Sequence, residues 1–366
     1  MSHRIAVLPG DGIGPEVIAE AQRVLAAIGQ RFGHTFLFTR GLVGGASLDV
    51  SGSPLTAETV DLCRHSDAVL FGAIGGPRWD ENPDFDLRPG RAILGLRKEL
   101  GLYVNLRPVK TLPMLSDRSP VRPEITRGVD MLVVRELTGD VYFGQPKRRW
   151  VSDEGRRAVD TMDYSEHEIA RTVRIACELA RARQRKVTSV DKSNALVSYQ
   201  LWKEVVIEVC AEYPDIELTH MLADTFAMQL VSNPRRFDVV VTGNLFGDIF
   251  TDEASVLSGS MGLLPSASLS GLPTGKMLGL YEPIHGSAPD IAGKGIANPL
   301  AAILSAAMLL RYSLQLEAEA AAVEKAVVSA LEAGYRTADI ASSGAATVST
   351  REMGQQVIDR IRSQED

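Results

Sequence analysis

Two carboxylates four residues apart, in the segment GDIFTDEAS, are the first feature of this sequence with chemical consequences. Asp248 and Asp252 follow an apolar run, Asp238–Thr242, and a turn at 243–247. On a helix they share a face and repel each other by about 0.2–0.5 kcal/mol. A divalent cation held by hard oxygen ligands would offset that repulsion. A solvated helix start, where carboxylates are ordinarily favoured and which Glu253 also fits, would explain them equally. The spacing leaves both readings open.

Other groups could act beside them. Arg97 in AILGLRKEL, Arg107 in YVNLRP and Arg135 in DMLVVREL each end an apolar segment. Open α/β sheets bind ligands at strand ends, and guanidinium forks suit carboxylates. Three such arginines suit a polyanionic small substrate; singly, each fits a surface ion pair, with Glu99 and Glu136 as partners. Lys192, after the strand expected at Val187–Val190, could act as a base if burial or a neighbouring cation lowers its pKa. Tyr142, in TGDVYFG, could donate a proton. A surface lysine and a half-buried strand tyrosine are the plainer alternatives. The loop PGDGIGPE carries Gly10, Gly12 and Gly14, but Pro15 and the spacing depart from the dinucleotide fingerprint. It is either a tight strand-to-helix turn or a backbone surface open to a ligand. GLPTGK before Met277 and AGK before Gly295 lack the Ser/Thr of a phosphate loop, which argues against a kinase or ATPase.

The elements that must position these groups are legible as alternating strands and helices. Arg4–Leu8, Ala68–Gly72, Met131–Arg135, Val187–Val190, Ile216–Thr219 and Asp238–Thr242 read as short strands. Pro15 suits a first helical turn, and Val17, Ile18, Ala21, Val24, Leu25 and Ile28 repeat at helical spacing after it. Asn298 and Pro299 begin an apolar helix through Leu314, and a second helix occupies 316–333. This alternation predicts an α/β fold with much parallel sheet. Residues 143–163 are polar and lack helical periodicity, and predict a projecting hairpin. Arg181, Arg183, Arg185 and Lys186 read as a helix C-terminus rather than a nucleic-acid patch.

With 366 residues the chain has room for two domains, and a net charge of -7 gives no general case for nucleic acid. The longest apolar run, Leu300–Leu310, is too short to span a bilayer. Three scattered cysteines form no zinc or CxxC pattern and suit a reducing compartment. With no signal-peptide pattern at the N-terminus, the expected location is cytoplasmic.

Taken in order, GDGIGPE, LRKELGLYVNLRPV, VRELTGDVYFG, VDKSNAL, VTGNLFGDIFTDEAS, GLLPSASL and EPIHGSAPDIAGKGIANP give the chain its identity. It resembles the β-decarboxylating dehydrogenases of isopropylmalate, isocitrate, homoisocitrate and tartrate/D-malate, and within them the isopropylmalate branch. The resemblance runs from Ile5 to about Gly354. It implies two open α/β domains of the isopropylmalate/isocitrate dehydrogenase type, not a Rossmann fold, with a cleft between them. Residues 1–103 plus 260–366 would form the first domain and 104–259 the second, with 143–163 as a dimer arm. It implies a homodimer with shared active sites. Asp248 and Asp252, with Asp224 reaching in from the partner, would bind Mg²⁺ or Mn²⁺. Arg97, Arg107 and Arg135 would grip the substrate carboxylates, with Ile93 and Leu94 as an apolar wall. Tyr142 and Lys192 would be acid and base.

The same resemblance places NAD⁺ on His285, Gly286, Ser287, Ala288, Pro289, Asp290, Ile291 and Asn298, with Asn194 beside the nicotinamide. Asp290 can accept from both ribose hydroxyls and would repel a 2′-phosphate, which favours NAD⁺ over NADP⁺. The implied activity is NAD-dependent oxidative decarboxylation of (2R,3S)-3-isopropylmalate in leucine biosynthesis. The sequence departs from that branch at Gly90, where its members usually carry Glu. A paralogue acting on another 2-hydroxy diacid (a different 3-alkylmalate, D-malate or tartrate) therefore stays open.

Overall fold

A computed structural model describes residues 1–272 and 274–363. Twelve strands are formed among them: β1 (Ser2–Gly10), β2 (Thr35–Arg40), β3 (Ala68–Ala73), β4 (Val104–Lys110), β5 (Asp130–Glu136), β6 (Arg148–Ser152), β7 (Gly155–Val159), β8 (Lys186–Asp191), β9 (Glu217–Leu222), β10 (Val239–Thr242), β11 (Pro265–Leu269) and β12 (Gly279–Pro283). Ten make one sheet in the order β2-β1-β3-β12-β11-β4-β5-β10-β8-β9. Its two halves meet at β11 and β4. Pairing is antiparallel there, between β12, β11, β4 and β5, and parallel elsewhere. Strands from both ends of the chain fill one half, and strands from residues 104–242 fill the other.

Helices cover both faces, so strands such as β1, β3 and β10 carry continuous apolar runs, as buried parallel strands do. All six residues of β3 are buried. The helix Gly14–Phe32 has its proline in the first turn and buries Val17, Ile18, Ala21, Val24, Leu25 and Ile28, the stripe expected from the sequence. It ends at Gly33 in a left-handed conformation. The helix Leu300–Tyr312 is buried almost all round, and its alanines let the sheet and neighbouring helices approach. The α/β expectation thus holds.

The stretch 143–163 contains the β6–β7 hairpin, paired from Arg148↔Val159 to Ser152↔Gly155, with Val151 exposed. Three of the four residues of the basic cluster pair with acids: Arg181 with Asp215 and Glu178, Arg183 with Asp130 and Asp238, Lys186 with Glu217. All three cysteines are free and buried. Among the described residues no helix is long and apolar enough to cross a membrane.

Candidate active site

The site forms where β4 and β5 meet the helices Gly90–Glu99 and Asn244–Ser258. In the β4–β5 register Asn105 lies opposite Arg135. Side chains alternate along a strand, so Arg107 shares the face of Asn105 and hence of Arg135. Arg97 arrives at the last turn of the helix Gly90–Glu99. All three arginines are buried. They line a cavity of about 450 Å³ with Ile93, Leu94, Tyr142 and Asp248, while Phe85, Arg88, Gly90 and Arg91 form its outer wall.

Each guanidinium is held by a different device. Arg97 donates to Glu282 at 3.0 Å, and its Nε has no protein partner. Arg107 donates from Nε to Asn105 at 2.8 Å and reaches Thr251 with Nη1. Arg135 is gripped by Asn244 Oδ1, at 3.1 Å from Nε and 2.8 Å from Nη2, and its Nη1 donates to Asp248. The pairings with Glu99 and Glu136 expected from proximity in sequence do not form. Glu99 pairs with Arg64, and Glu136 instead accepts from the backbone of Thr138 and Gly139.

Asp248 and Asp252 do lie on one helix, and arginines supply part of their compensation. Arg107 sits 3.5 Å from Asp248 and 3.7 Å from Asp252. Burial would raise the Asp248 carboxyl, but the Arg135 and Arg107 charges hold it below the usual range. Asp252 has the opposite shift: burial raises it, and the charge of Asp248 adds to that against the pull of Arg107. Tyr142 donates to Asp248 at 2.9 Å. Burial, with the Asp248 charge, pushes its phenol up to about 12, so it stays protonated and able to donate near neutrality. Burial, with the neighbouring Arg135 charge, brings Arg107 down to about 10. Crowded buried cations of this kind gain by binding anions.

The remaining groups divide by position. Lys192, on the loop after β8, donates to Asp224 at 2.7 Å. Neither lines the cavity, Asn194 on the same loop is exposed, and β10 separates β8 from β5. One chain therefore gathers Ile93, Leu94, Arg97, Arg107, Arg135, Tyr142 and Asp248, sets Asp252 at their rim, and keeps Lys192, Asp224 and Asn194 outside. Among the described residues no three His, Cys, Asp or Glu side chains converge to hold a metal within the chain. Asp248 and Asp252 are nonetheless hard oxygen donors on one face, the pair that suits Mg²⁺ or Mn²⁺.

The segment after β12 borders this cavity. His285 and Gly286 line a smaller space of about 140 Å³ whose walls include Ile93, Arg97 and Arg107. The buried His285 Nε2 has no protein partner, and burial lowers the imidazole pKa. Ser287 is buried and its carbonyl accepts from Ile13 N–H at 2.8 Å. Gly12 has φ +57°, and a Cβ there would lie 2.0 Å from that carbonyl, so the turn and the segment are fitted backbone to backbone. Glu16 accepts from Gly293 and Gly295, which ties the second glycine loop to the first. Ala288 has φ +38°, Pro289 and Asp290 are exposed, and Ile291 N–H returns to Ala288. Asn298 accepts from Leu300 N–H at 3.0 Å and donates to Asp339. An exposed carboxylate, an imidazole whose Nε2 is free while Nδ1 meets the Gly286 carbonyl at 2.9 Å, and bare backbone fit the hydroxyls and phosphates of a nucleotide cofactor.

Sequence reasoning missed the supporting residues. Asn244 orients Arg135, Glu282 pairs with Arg97, and Asn105 holds Arg107. Asp11 accepts from Gly45, Ala46 and Gly75 and so ties three loops together. Apart from Asn105, two residues before Arg107, their partners are remote in sequence, so no local spacing marks them.

Comparison with known proteins accords with this geometry. The family model described as isocitrate/isopropylmalate dehydrogenase matches residues 4–357. The 3-isopropylmalate dehydrogenase of Geobacillus kaustophilus is 58% identical over 97% of this chain and 95% of its own length. That of Anaeromyxobacter dehalogenans is 56% identical over 99% and 100%. The crystal structure of isocitrate dehydrogenase from Methylococcus capsulatus superposes with a TM-score of 0.85 at 33% identity, covering 99% of this chain and all of that one.

Proposed function

The chain belongs to the isocitrate/isopropylmalate dehydrogenase family, and from that premise we propose that it oxidises and decarboxylates (2R,3S)-3-isopropylmalate with NAD⁺ in leucine biosynthesis. The products are 2-oxo-4-methylpentanoate, CO₂ and NADH. One observation carries the substrate assignment: three buried arginines and the apolar residues Ile93 and Leu94 line one cavity. That suits a small molecule with two carboxylates and an alkyl branch. A third carboxylate, as in isocitrate, would meet Ile93 and Leu94, which offer it no hydrogen bond.

The chain's residues supply binding and proton traffic. Arg97, Arg107 and Arg135 hold the dianion in a desolvated site where their charges act strongly. The base, Lys192 of the partner subunit or a water it activates, takes the C2 hydroxyl proton as the C2 hydrogen leaves with its electron pair. The C3–carboxylate bond then breaks, CO₂ departs, and its electrons remain as an enolate. Tyr142, kept protonated by burial and by Asp248, delivers a proton to C3. A bound nicotinamide would supply the hydride acceptor, and a bound divalent cation would supply Lewis acidity at the developing oxyanion. Asp248 and Asp252, with Asp224 of the partner subunit, would hold the cation. His285 to Ile291, with Asn298, would hold NAD⁺, beside Asn194.

A homodimer completes this account. Exposed apolar residues on two helices packed against each other, Met228 and Val231 on Ala223–Ser232 and Ile249 and Val256 on Asn244–Ser258, offer a face to a second copy. Lys192 and Asp224 would then serve the partner's cavity. Residues 1–103 with 260–366 form one lobe in this reading and 104–259 the other, with the arm at 143–163. The site is cytoplasmic and takes neither nucleic acid nor membrane.

Gly90 supports a second reading, activity on another 2-hydroxy diacid. It lies on the cavity wall, and nothing stands within 4 Å of where its Cβ would be. NADH formation from 3-isopropylmalate, other 3-alkylmalates, D-malate and tartrate, with Mn²⁺ and then with excess EDTA, decides. Preference for D-malate or tartrate replaces the first reading with the second. No activity on any of them refutes both, and full activity in EDTA removes the metal role of Asp248 and Asp252.

A further inference from the structure

The helix Asn244–Ser258 carries Asp248, Asp252 and the Asn244 that grips Arg135, so its position sets much of the site. Its N-terminus lacks the usual device. The N-cap is Gly243, with no side-chain acceptor. No side chain fits there, because a Cβ would lie 2.2 Å from the Tyr199 hydroxyl and 2.7 Å from that of Tyr164. The first backbone N–H groups of a helix must still find acceptors.

They find them on a distant residue. Leu245 N–H donates to Asp140 Oδ2 at 3.1 Å. Asn244 N–H donates to the Tyr164 oxygen at 2.7 Å, and the Tyr164 hydroxyl donates onward to Asp140 Oδ2 at 3.2 Å. Tyr199 donates to the same oxygen at 3.2 Å. The other oxygen, Oδ1, accepts from Val141 N–H at 2.8 Å, and the Asp140 carbonyl accepts from Gly144, closing the turn around Tyr142. Asp140 is fully buried and has φ +71°, in the left-handed region that costs a non-glycine residue energy. Strain of this kind persists where surrounding contacts over-determine it.

We propose that Asp140 is a positioning residue: its buried carboxylate caps, from outside, the helix bearing Asp248 and Asp252, and in the same contact fixes the turn that presents Tyr142. The 2.9 Å hydrogen bond from Tyr142 to Asp248 spans these two elements, and Asp140 is their joint. A carboxylate is well matched to the positive end of the helix dipole. The inference rests on the decarboxylating reading, since Tyr142 and Asp248 are the groups being held.

Asp140→Gly separates the roles, because glycine relieves the backbone strain while removing the acceptor. We expect kcat for 3-isopropylmalate to fall ~10- to 100-fold, more than KM changes, as for a sub-ångström misplacement of reacting groups. The alkaline limb of the pH–rate profile should shift as Tyr142 loses its fixed contact with Asp248. Asp140→Asn, which tolerates a left-handed backbone and keeps one oxygen, should restore much of the rate. Amide exchange at Leu245 and Val141 should quicken in Asp140→Gly but not at β3. Wild-type kcat, pH profile and exchange in Asp140→Gly would overturn the proposal, as would an Asn variant no better than Gly. Should Asp140→Gly fail to fold, the double variant Tyr164→Phe/Tyr199→Phe decides. It leaves Asp140 in place but cuts the relay from Asn244, and an unaltered kcat and pH profile in the folded protein would overturn the inference. A wild-type enzyme inactive on every hydroxy diacid would refute the functional reading, while the exchange comparison still tests the cap.

Discussion

Replacing Gly12 by alanine probes the proposed NAD⁺ segment without touching any group of the dicarboxylate cavity. A Cβ on Gly12 would lie 2.0 Å from the Ser287 carbonyl oxygen and 2.8 Å from the Ser287 Cβ, so backbone must move. Holding alanine at φ +57° costs about 1–2 kcal/mol. Displacing Ser287 also breaks the 2.8 Å bond from Ile13 N–H, worth about 1 kcal/mol. The total is about 2–3 kcal/mol. If the segment His285–Asp290 shifts to relieve it, NAD⁺ affinity should fall ~30- to 150-fold, at about 1.4 kcal/mol per decade. Titration calorimetry of NADH gives the dissociation constant, and a thermal melt shows that the variant is folded. KM for the hydroxy diacid at saturating NAD⁺ should stay within about threefold of wild type if the change is confined to the cofactor side. A folded Gly12→Ala protein with unaltered NADH affinity would refute the reasoning and move the cofactor off this segment.

Three further outcomes follow from the site. Tyr142→Phe should lower kcat by about 10²–10⁴-fold, the range of a lost general acid, while KM moves little; a near-normal kcat would remove Tyr142 from the proton path. Its phenol should ionise near pH 12 rather than 10 in a difference titration at 295 nm against the Phe variant. Asp248 has a depressed folded pKa, so its contribution to stability is present above the unfolded value of about 4 and is lost as pH falls through the folded one. Asp248→Asn should therefore lose less melting temperature than wild type on acidification below about pH 4; parallel curves would contradict the charge assignment. Lys192→Met and Arg135→Met, each inactive alone, should recover about a quarter of wild-type activity when dissociated and reassociated together. Half the dimers are then mixed, with one of two shared sites intact. Complete failure to complement, in dimers shown by mass spectrometry to be mixed, would refute the shared site.

The alternation of strands and helices was readable because burial on both faces writes apolar runs into β1, β3 and β10. The antiparallel join was not. Its strand β4 reads VNLRPVK, in which Asn105, Arg107 and Pro108 argue against a central strand. Those residues are there because the site needs Arg107 buried with Asn105 holding it, and Pro108 lies beyond the stretch Val104–Leu106 that pairs with β11. The arginines and acids of the site stood out by type and position, and the order of motifs carried the family resemblance. Their partners did not stand out. Arg97 meets Glu282 across 185 residues, and Asp140 meets Leu245 across 105. Such contacts are products of the fold, and neighbours in sequence such as Glu99 and Glu136 misled instead.

In the proposed function, buried arginines and an apolar wall select a 3-alkylated 2-hydroxy diacid. The most direct test is the ratio of kcat/KM for 3-isopropylmalate to that for D-malate, with products identified by NMR. Three buried carbons at about 0.8 kcal/mol each give about 2.4 kcal/mol, or a preference of ~50-fold, if Ile93 and Leu94 meet the branch. We expect a ratio of that order, with 2-oxo-4-methylpentanoate, CO₂ and NADH formed in equal amounts. A ratio at or below one, or oxidation without release of CO₂, would contradict it.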